Sequence, residues 1–287
     1  MARATINGIE IDYELRGDAG APAVVITPGG RYPKNSPGVP ELADALVAGG
    51  KRVLLWDRPN CGLSDVSFDA ESESLLHGNT LAGLIRQLDL GPVTLAAGSA
   101  GSRVSLIAAS RNPELISHLT LWWITGGPIG LMSLATFYCA EPARMLGMGG
   151  GMEAVAKTFS WSQVEHNPRA RAQLLAQDPD AFIEKMQKWA AAYAPSKDSP
   201  VPGMAPEHFA ALTMPVLIMR NGRHDLDHSY ETTEWVHRLI PHSKLIDAPW
   251  REDEWNQLRV ERAAGTAAGP FQCWPQAAPL ILDFTRS

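Results

Sequence analysis

The chain has 287 residues, of which 45% are hydrophobic and 20% are charged, and its formal net charge is -6. This composition is typical of a globular protein, and the negative net charge argues against binding to nucleic acid or to an anionic membrane surface. The N-terminus lacks an apolar signal core, and no segment has the roughly 20 consecutive apolar residues of a membrane span, so we expect a cytoplasmic protein. Three widely spaced cysteines form no metal-ligand or redox pair, and we expect no metal and no cofactor.

The first predicted elements are the two strands of a hairpin. Two segments with alternating hydrophobicity flank Asn7 and Gly8, a dipeptide that favours a tight turn between antiparallel strands. Several apolar runs follow, and runs that are apolar on both faces are typical of parallel strands covered by helices. These runs are residues 23–28, 52–57, 93–98, 119–124, 215–220 and 243–248. With the helical patterns between them, they predict an α/β fold in which a mostly parallel, doubly wound sheet follows an antiparallel hairpin.

A different pattern interrupts this alternation. It stops at about residue 124 and resumes near residue 213. The intervening segment has glycine-rich and proline-rich turns and several helical patterns, one of which begins at Asp178 and Pro179. We therefore predict a core domain of residues 1–125 and 213–287, with a helical lid inserted at residues 126–212.

One serine directly follows a predicted strand and lies between small residues. The pentapeptide Ala-Gly-Ser-Ala-Gly spans residues 97–101, and a sharp strand-to-helix turn around a nucleophile needs such small neighbours because larger side chains would collide. The same pentapeptide is also compatible with a turn that only caps the next helix. Ser99 is a candidate nucleophile, and the amide of Ala100, at the start of a helix, is a candidate donor to an oxyanion.

Several motifs occur in the order found in one enzyme superfamily. They are the loop ITPGGR (26–31), the turn WDRPNCGLSD (56–65), the serine turn, the helical insertion and the loop RNGRHDLDHS (220–229). In this order the chain resembles the lid-bearing members of the α/β-hydrolase superfamily over nearly its whole length. The resemblance implies that Ser99 is the nucleophile and that the amides of Gly30 and Ala100 hold the oxyanion. It also implies that Asp225, or Asp227 as the second choice, is the acid of a catalytic triad.

The usual position of the triad histidine is not filled. The resemblance places a histidine after the last predicted strand, but residues 249–257 read PWREDEWNQ and contain none. A serine hydroxyl without a neighbouring base is a poor nucleophile. We favour His228, three residues after Asp225, as the base. The alternatives are His224, His77, which we expect to be a surface or capping residue, and a buried carboxylate from Glu252 or Asp253.

Aromatic and methionine side chains in and near the predicted lid indicate a site for a small apolar or aromatic molecule. The expected substrate contacts are Arg31, Trp122, Trp123, Phe137, Tyr138 and Trp250. Trp122 and Trp123 are neighbours in a strand, so one of the two should face the site. Arg31 has two interpretations, a salt-bridged residue or a ligand for an anionic group of the substrate. We expect the protein to be a monomer or a homodimer.

These features favour a serine hydrolase that needs no cofactor. Its substrate would be an ester, thioester, lactone, amide or activated C–C bond of a small apolar molecule. The unfilled histidine position leaves two other functions open. One is a lyase, isomerase or hydratase that uses the same fold without forming an acyl-enzyme, and the other is a catalytically silent binding protein.

Overall fold

The computed structural model describes residues 2–286, which build one mixed β-sheet with helices on both faces. Its strands are β1 (Ala2–Ile6), β2 (Ile9–Arg16), β3 (Ala23–Thr27), β4 (Arg52–Trp56), β5 (Val93–Gly98), β6 (Ile116–Trp122), β7 (Val216–Met219) and β8 (Lys244–Ile246). Their order across the sheet is β1-β2-β4-β3-β5-β6-β7-β8. Pairing is antiparallel from β1 to β2 and from β2 to β4, and it is parallel for the remaining strands. The predicted fold class is confirmed.

The hairpin and the sheet core form for the reasons that the sequence suggests. Asn7 and Gly8 have φ angles of 51° and 81°, the left-handed pair that a tight hairpin turn requires. In β3, Val25 belongs to one apolar cluster and its neighbour Val24 to a second one. Because adjacent strand side chains point to opposite faces, the sheet has a buried core on each side.

Helices occur between the strands and in one long insertion. In chain order they are α1 (Val39–Ala48), α2 (Glu73–Gln87), α3 (Ala100–Arg111), α4 (Gly127–Ala135), α5 (Glu141–Gly147), α6 (Gly151–Ala156), α7 (Pro168–Leu175), α8 (Pro179–Ala191), α9 (Pro206–Ala210), α10 (Tyr230–Leu239), α11 (Glu254–Ala263) and α12 (Ala278–Phe284). A π-helical turn at Thr136–Ala140 joins α4 to α5. No helix within residues 2–286 is long and apolar enough to cross a membrane.

Helices α4 to α9 lie between β6 and β7, in the segment that the sequence predicts to be helical. Helix α8 begins as expected, with the Asp178 carboxylate accepting the Ala181 amide at 2.9 Å and Pro179 in the first turn. The insertion packs on the sheet domain through aromatic contacts, such as that of Phe68 with Trp161, whose ring centroids are 5.6 Å apart. The division into a core and a lid at residues 126–212 stays a prediction.

Candidate active site

The turn between β5 and α3 carries Ser99 in a strained backbone conformation. Ser99 has φ 56° and ψ -129°, which is rare for a residue with a side chain. A Cβ atom on Gly101 would lie 2.1 Å from the carbonyl oxygen of Thr27, and one on Gly29 would lie 2.5 Å from the Ser99 Cβ. The backbone is therefore crowded around the serine, which is the geometry of a turn that projects a hydroxyl from the carboxyl edge of a sheet.

His228 lies directly beside this serine. Its Nε2 atom is 2.8 Å from the Ser99 Oγ, and its Nδ1 atom is 2.8 Å from the Asp225 Oδ2. Both His228 and Asp225 are buried, with 1% and 4% of their surface exposed. If Nδ1–H donates to the carboxylate, the lone pair on Nε2 can accept the Ser99 proton. The structure thus brings together the predicted nucleophile, the favoured histidine and the predicted acid.

A compact turn after β7 orients the acid and the histidine. The second oxygen of Asp225, Oδ1, accepts the amides of Asp227 and His228, both at 3.0 Å. Asn221 anchors the turn to the end of β6, because its amide nitrogen donates to the carbonyl oxygens of Ile124 and Ser229, each at 3.0 Å. Asn221 was not singled out by its sequence, since an asparagine in a loop also fits an ordinary turn.

Two tryptophans enclose the His228 imidazole. Trp123 stacks on it with ring centroids 5.9 Å apart and an interplanar angle of 16°. Trp255 meets it edge-on at 4.8 Å. The Trp255 indole donates to the Asp227 Oδ2 at 2.8 Å, which turns that carboxylate toward α11 and away from the histidine. Asp227, the second choice for the acid, is therefore occupied elsewhere.

Within residues 2–286 the other candidate bases form no hydrogen bond with the Ser99 hydroxyl, whose side-chain partners are Thr125 and His228. Glu252 is an exposed residue whose carboxylate lies 3.5 Å from Arg223, and Asp253 accepts the side-chain amide of Gln257 at 2.8 Å. His224 is exposed on the loop after β7, and its carbonyl oxygen accepts the Asn256 side chain at 2.9 Å.

The expectation for His77 is wrong in one respect, because this residue is buried and does not lie on the surface or cap a helix. Its Nε2 atom lies 2.8 Å from the carbonyl oxygen of Pro59 and donates to it. Burial lowers the pKa of His77 to about 3, against a smaller opposing effect of Glu73, so the imidazole is neutral. His77 is neutral and already donates its Nε2 proton to a carbonyl oxygen. It therefore has a structural position and is not placed to accept the proton of Ser99.

The loop after β3 faces the serine with its backbone. Gly30 has φ 49°, a left-handed conformation, and Arg58 fixes the loop by donating from Nη2 to the carbonyl oxygens of Gly29 and Gly30 at 3.1 and 2.6 Å. Within residues 2–286 the amide of Gly30 has no acceptor, and neither does that of Ala100, the first residue of α3. Both predicted oxyanion donors are thus free to donate to a ligand.

The predicted substrate contacts fall into two groups. Trp123 lies against His228, and Tyr138 lies close to the loop after β3, with its hydroxyl 3.1 Å from where a Cβ of Gly30 would lie. Trp122 packs in the core against Trp274 at 4.9 Å, while Phe137 is 47% exposed beside Phe159. Trp250 is in a second layer behind Trp123, at a centroid distance of 5.4 Å. Trp122 therefore has a packing position in the core, which corrects its assignment as a substrate contact, while Phe137 and Trp250 stay predicted substrate contacts.

Arg31 has the first of its two predicted interpretations. Its Nε atom donates to the Glu73 carboxylate at 3.0 Å, and its guanidinium lies 4.0 Å above the ring of Trp161. Burial raises the pKa of Glu73, but the charge of Arg31 and a hydrogen bond from Asn60 outweigh burial and keep the pKa below its usual value. The pair is therefore a buried ion pair that joins the oxyanion loop to α2.

A narrow cavity adjoins the two oxyanion donors, and its lining is charged. It is lined by Gly30, Arg31, Arg58, Glu73, Ser74, His77, Ala100, Arg103, Val104, Tyr138 and Tyr193. The expectation of an apolar site does not describe this cavity. Arg103 and Glu73 were missed by the sequence reasoning. The available signal for Arg103 was a lone charge at the start of a helix of small and apolar residues.

Comparison with known proteins agrees with this architecture. Residues 22–124 match a family model described as the alpha/beta hydrolase fold. A 2-hydroxy-6-oxononadienedioate/2-hydroxy-6-oxononatrienedioate hydrolase of Cupriavidus pinatubonensis is 40% identical over 86 residues, 30% of this chain and 30% of that protein. A protein of the same name from Escherichia coli K12 is 37% identical over 93 residues, 32% of this chain and 31% of its own. The matches thus span about a third of the length of these relatives.

Solved structures extend the likeness to the whole chain. The enol-lactonase from Burkholderia xenovorans superposes with a TM-score of 0.61 at 18% identity and covers 100% of both chains. A mutant of the meta-cleavage product hydrolase CumD superposes with a TM-score of 0.60 at 17% identity, over 99% of this chain and 97% of its own. The chain therefore has the α/β-hydrolase fold, and its sequence match to the family model covers residues 22–124.

Proposed function

We propose that the protein is a serine hydrolase of small molecules that carry an activated carbonyl group. The Ser99 Oγ attacks the carbonyl carbon while His228 Nε2 takes the hydroxyl proton, and the amides of Gly30 and Ala100 hold the resulting oxyanion. Collapse of the tetrahedral adduct breaks the bond to the leaving group, which receives the proton from His228. A water molecule, deprotonated by His228, then attacks the acyl-enzyme and releases the acid product together with free Ser99.

The chain of two hydrogen-bond distances from Ser99 through His228 to Asp225, each 2.8 Å, carries this proposal. A serine whose proton has an imidazole acceptor, itself held by a buried carboxylate, is arranged as an activated nucleophile. This arrangement supports acyl transfer, because the lack of an evident base was the reason for the non-hydrolytic and ligand-binding alternatives. Activity that depends on Ser99 without covalent labelling would favour the non-hydrolytic alternative instead.

The names of the relatives reduce the number of bond types that we propose as the bond that is broken. Two of them are hydrolases named for unsaturated oxo-dioates, and one structural neighbour is an enol-lactonase. We therefore propose that the substrate is an ester, a lactone or a C–C bond next to a carbonyl. For a C–C bond the leaving group is carbon, and the proton from His228 would be delivered to that carbon.

Covalent labelling tests the proposal. We expect a fluorophosphonate to add once to the intact protein, at Ser99, and to leave Ser99→Ala unlabelled. Turnover on a panel of 4-nitrophenyl esters and lactones should be lost in Ser99→Ala and kept in Ser105→Ala. Ser105 is a suitable control because it is buried in the same helix and its hydroxyl has no partner. Labelling at another residue, or turnover that survives Ser99→Ala, would refute the proposal.

A further inference from the structure

Arg103 is a buried charge whose side chain has unused hydrogen-bond donors. Only 2% of its surface is exposed, and its Nε and Nη1 atoms have no hydrogen-bond partner within residues 2–286. No carboxylate of the described residues forms an ion pair with it, and its one aromatic contact is with Tyr193, whose ring centroid lies 5.2 Å from the guanidinium carbon. Burying an uncompensated charge is costly, so a residue of this kind needs a reason to be there.

Arg103 lies in the first turns of α3, close to the proposed site of acyl transfer. Arg103 lies three residues after Ala100, and residues three apart in a helix share a face. Both residues line the narrow cavity that also includes Gly30. The guanidinium thus borders the same space as the two proposed oxyanion donors, within about one helical turn, or about 5 Å, along the axis.

The charges around this cavity do not cancel. Arg31, Arg58 and Arg103 line it together with a single carboxylate, Glu73, which leaves a formal charge of +2. The nearby Asp57 does not offset Arg103, because its oxygens accept from Lys34 and from the Leu63 amide.

The remaining titratable groups of the lining are neutral and cannot balance the arginines. Burial lowers the pKa of His77 to about 3 and raises the pKa of Tyr138 to about 12. Burial also raises the pKa of Tyr193 far above its usual value. At neutral pH the cavity therefore has an excess of positive charge in a region that excludes water.

We infer that Arg103 binds an anionic group of the substrate, a carboxylate, a few bonds from the carbonyl that Ser99 attacks. The inference rests on the proposed hydrolase function and narrows its substrate class to short carboxylic acids that also carry the scissile group. A charged guanidinium N–H is a strong donor to a carboxylate, and two nitrogens of Arg103, Nε and Nη1, have no hydrogen-bond partner within residues 2–286. They lie on different edges of the guanidinium, so each can donate to an acceptor of its own.

The cavity must widen to admit such a group. Its volume is about 10 Å³, which is room for about one water molecule. Tyr138 belongs to the π-helical turn, and Tyr193 follows α8, so both tyrosines of the lining come from the helical insertion. A shift of the insertion that moves these two side chains would widen the cavity.

Matched ester pairs test the inference. We would compare kcat/KM for 4-nitrophenyl hydrogen glutarate with that for its neutral methyl ester, in the wild type and in Arg103→Met, Arg103→Lys and Arg111→Met. We expect the wild type to prefer the anionic ester by about 10- to 100-fold, as a charged hydrogen-bonded contact allows. Arg103→Met should lower kcat/KM for the anionic ester much more than for the neutral ester and so lose this preference, while Arg103→Lys should keep part of it. Arg111 is an exposed residue at the end of the same helix, so Arg111→Met should behave as the wild type.

A stability measurement separates a binding role from a structural one. Because two nitrogens of the buried Arg103 guanidinium have no hydrogen-bond partner within residues 2–286, Arg103→Met should leave Tm unchanged or raise it. A fall in Tm together with an equal loss on both esters would overturn the inference, and so would a wild type without preference for the anionic ester. If the wild type hydrolyses neither ester, calorimetry of glutarate binding to Ser99→Ala tests the anion site independently of the proposed hydrolysis. Binding that Arg103→Met abolishes would support the anion site even if the proposed hydrolysis fails, and absence of binding would end it.

Discussion

Two loops leave neighbouring strands at the same edge of the sheet, one after β7 and one after β8. The histidine that the resemblance places in the second loop lies in the first. In the superfamily that the sequence resembles, the first loop carries the acid and the second carries the histidine. Here Asp225 and His228 both come from the loop after β7. The second loop and the helix that follows it contribute Trp250 and Trp255 instead, and the Trp255 ring packs edge-on against the imidazole at 4.8 Å.

The two loops also differ in how their polar groups are satisfied. The Asp225 carboxylate is 4% exposed and accepts two amides in addition to its contact with the imidazole. In the loop after β8, Glu252 is exposed and lies 3.5 Å from an exposed arginine. A buried carboxylate with every oxygen engaged can hold one imidazole orientation, whereas an exposed ion pair has little orienting strength. The comparison indicates that a general base is defined by its position in space and not by its position in the chain.

The strongest way to break this comparison is to remove the histidine. We expect His228→Ala to lower kcat by about 10⁵-fold or more, because loss of the base of a triad leaves only the oxyanion donors and binding. Glu252→Gln should stay within a few-fold of the wild type. The measurement is the rate of 4-nitrophenyl ester hydrolysis, with labelling by a fluorophosphonate as a second readout. If Glu252→Gln were as damaged as His228→Ala, the base would belong to the loop after β8.

A slightly smaller effect is expected from the acid. Asp225→Asn keeps the shape of the turn but offers an amide to the imidazole, so the wrong tautomer is favoured and kcat should fall by about 10⁴-fold. The matched control is Asp227→Asn, two residues away. Its carboxylate accepts from Trp255 and Arg259 at 2.8 and 2.9 Å and should affect the rate little. Equal losses in the two variants would mean that the whole loop, and not the Asp225 carboxylate, supports the activity.

The smallest expected effect concerns His77 and sharpens the contrast between this buried histidine and His228, the proposed base. Its pKa is about 3 in the folded protein and about 6.5 when unfolded. Between these values the unfolded state binds more protons, so the free energy of unfolding falls as the pH falls, by about 1.4 kcal/mol per pH unit. From pH 6.5 to pH 5 the wild type should therefore lose about 2 kcal/mol more than His77→Gln in urea unfolding.

The control for that measurement is the exposed His224. His224→Gln should reproduce the wild-type pH dependence, since this exposed side chain is not among the buried groups that surround His77. An unchanged slope in His77→Gln would mean that the buried imidazole is not the group whose protonation destabilises the fold.

Much of the architecture could be predicted because its causes are local. The apolar runs that become β3 to β8 are visible as short segments, and Asn7 and Gly8 suffice to specify a hairpin turn. The turn at Ser99 was also readable, since small residues at 97 and 101 follow from the space that a sharp strand-to-helix turn leaves. Such features depend on backbone sterics and hydrophobic periodicity within a few residues.

Other features lay beyond the sequence because they depend on segments that meet only in the folded chain. His228 and Ser99 are 129 residues apart, and only the sheet, which sets β5 and β7 on either side of β6, brings the imidazole to the hydroxyl. Trp122 points into the core and Trp123 points toward His228. These directions depend on the backbone at the end of β6, which the sequence pattern does not specify.

The amino-acid sequence by itself determined the class of fold, the serine turn and a short set of candidate bases, since each arises from local pattern and spacing. Only the tertiary structure decided which candidate base reaches Ser99, that Arg31 is neutralised by Glu73, and that two nitrogens of Arg103 have no hydrogen-bond partner among the described residues. The physical reason is that a buried charge can pair only with side chains that lie beside it in the water-free interior. These neighbours come from distant parts of the chain, and only the packing of the folded protein determines which they are.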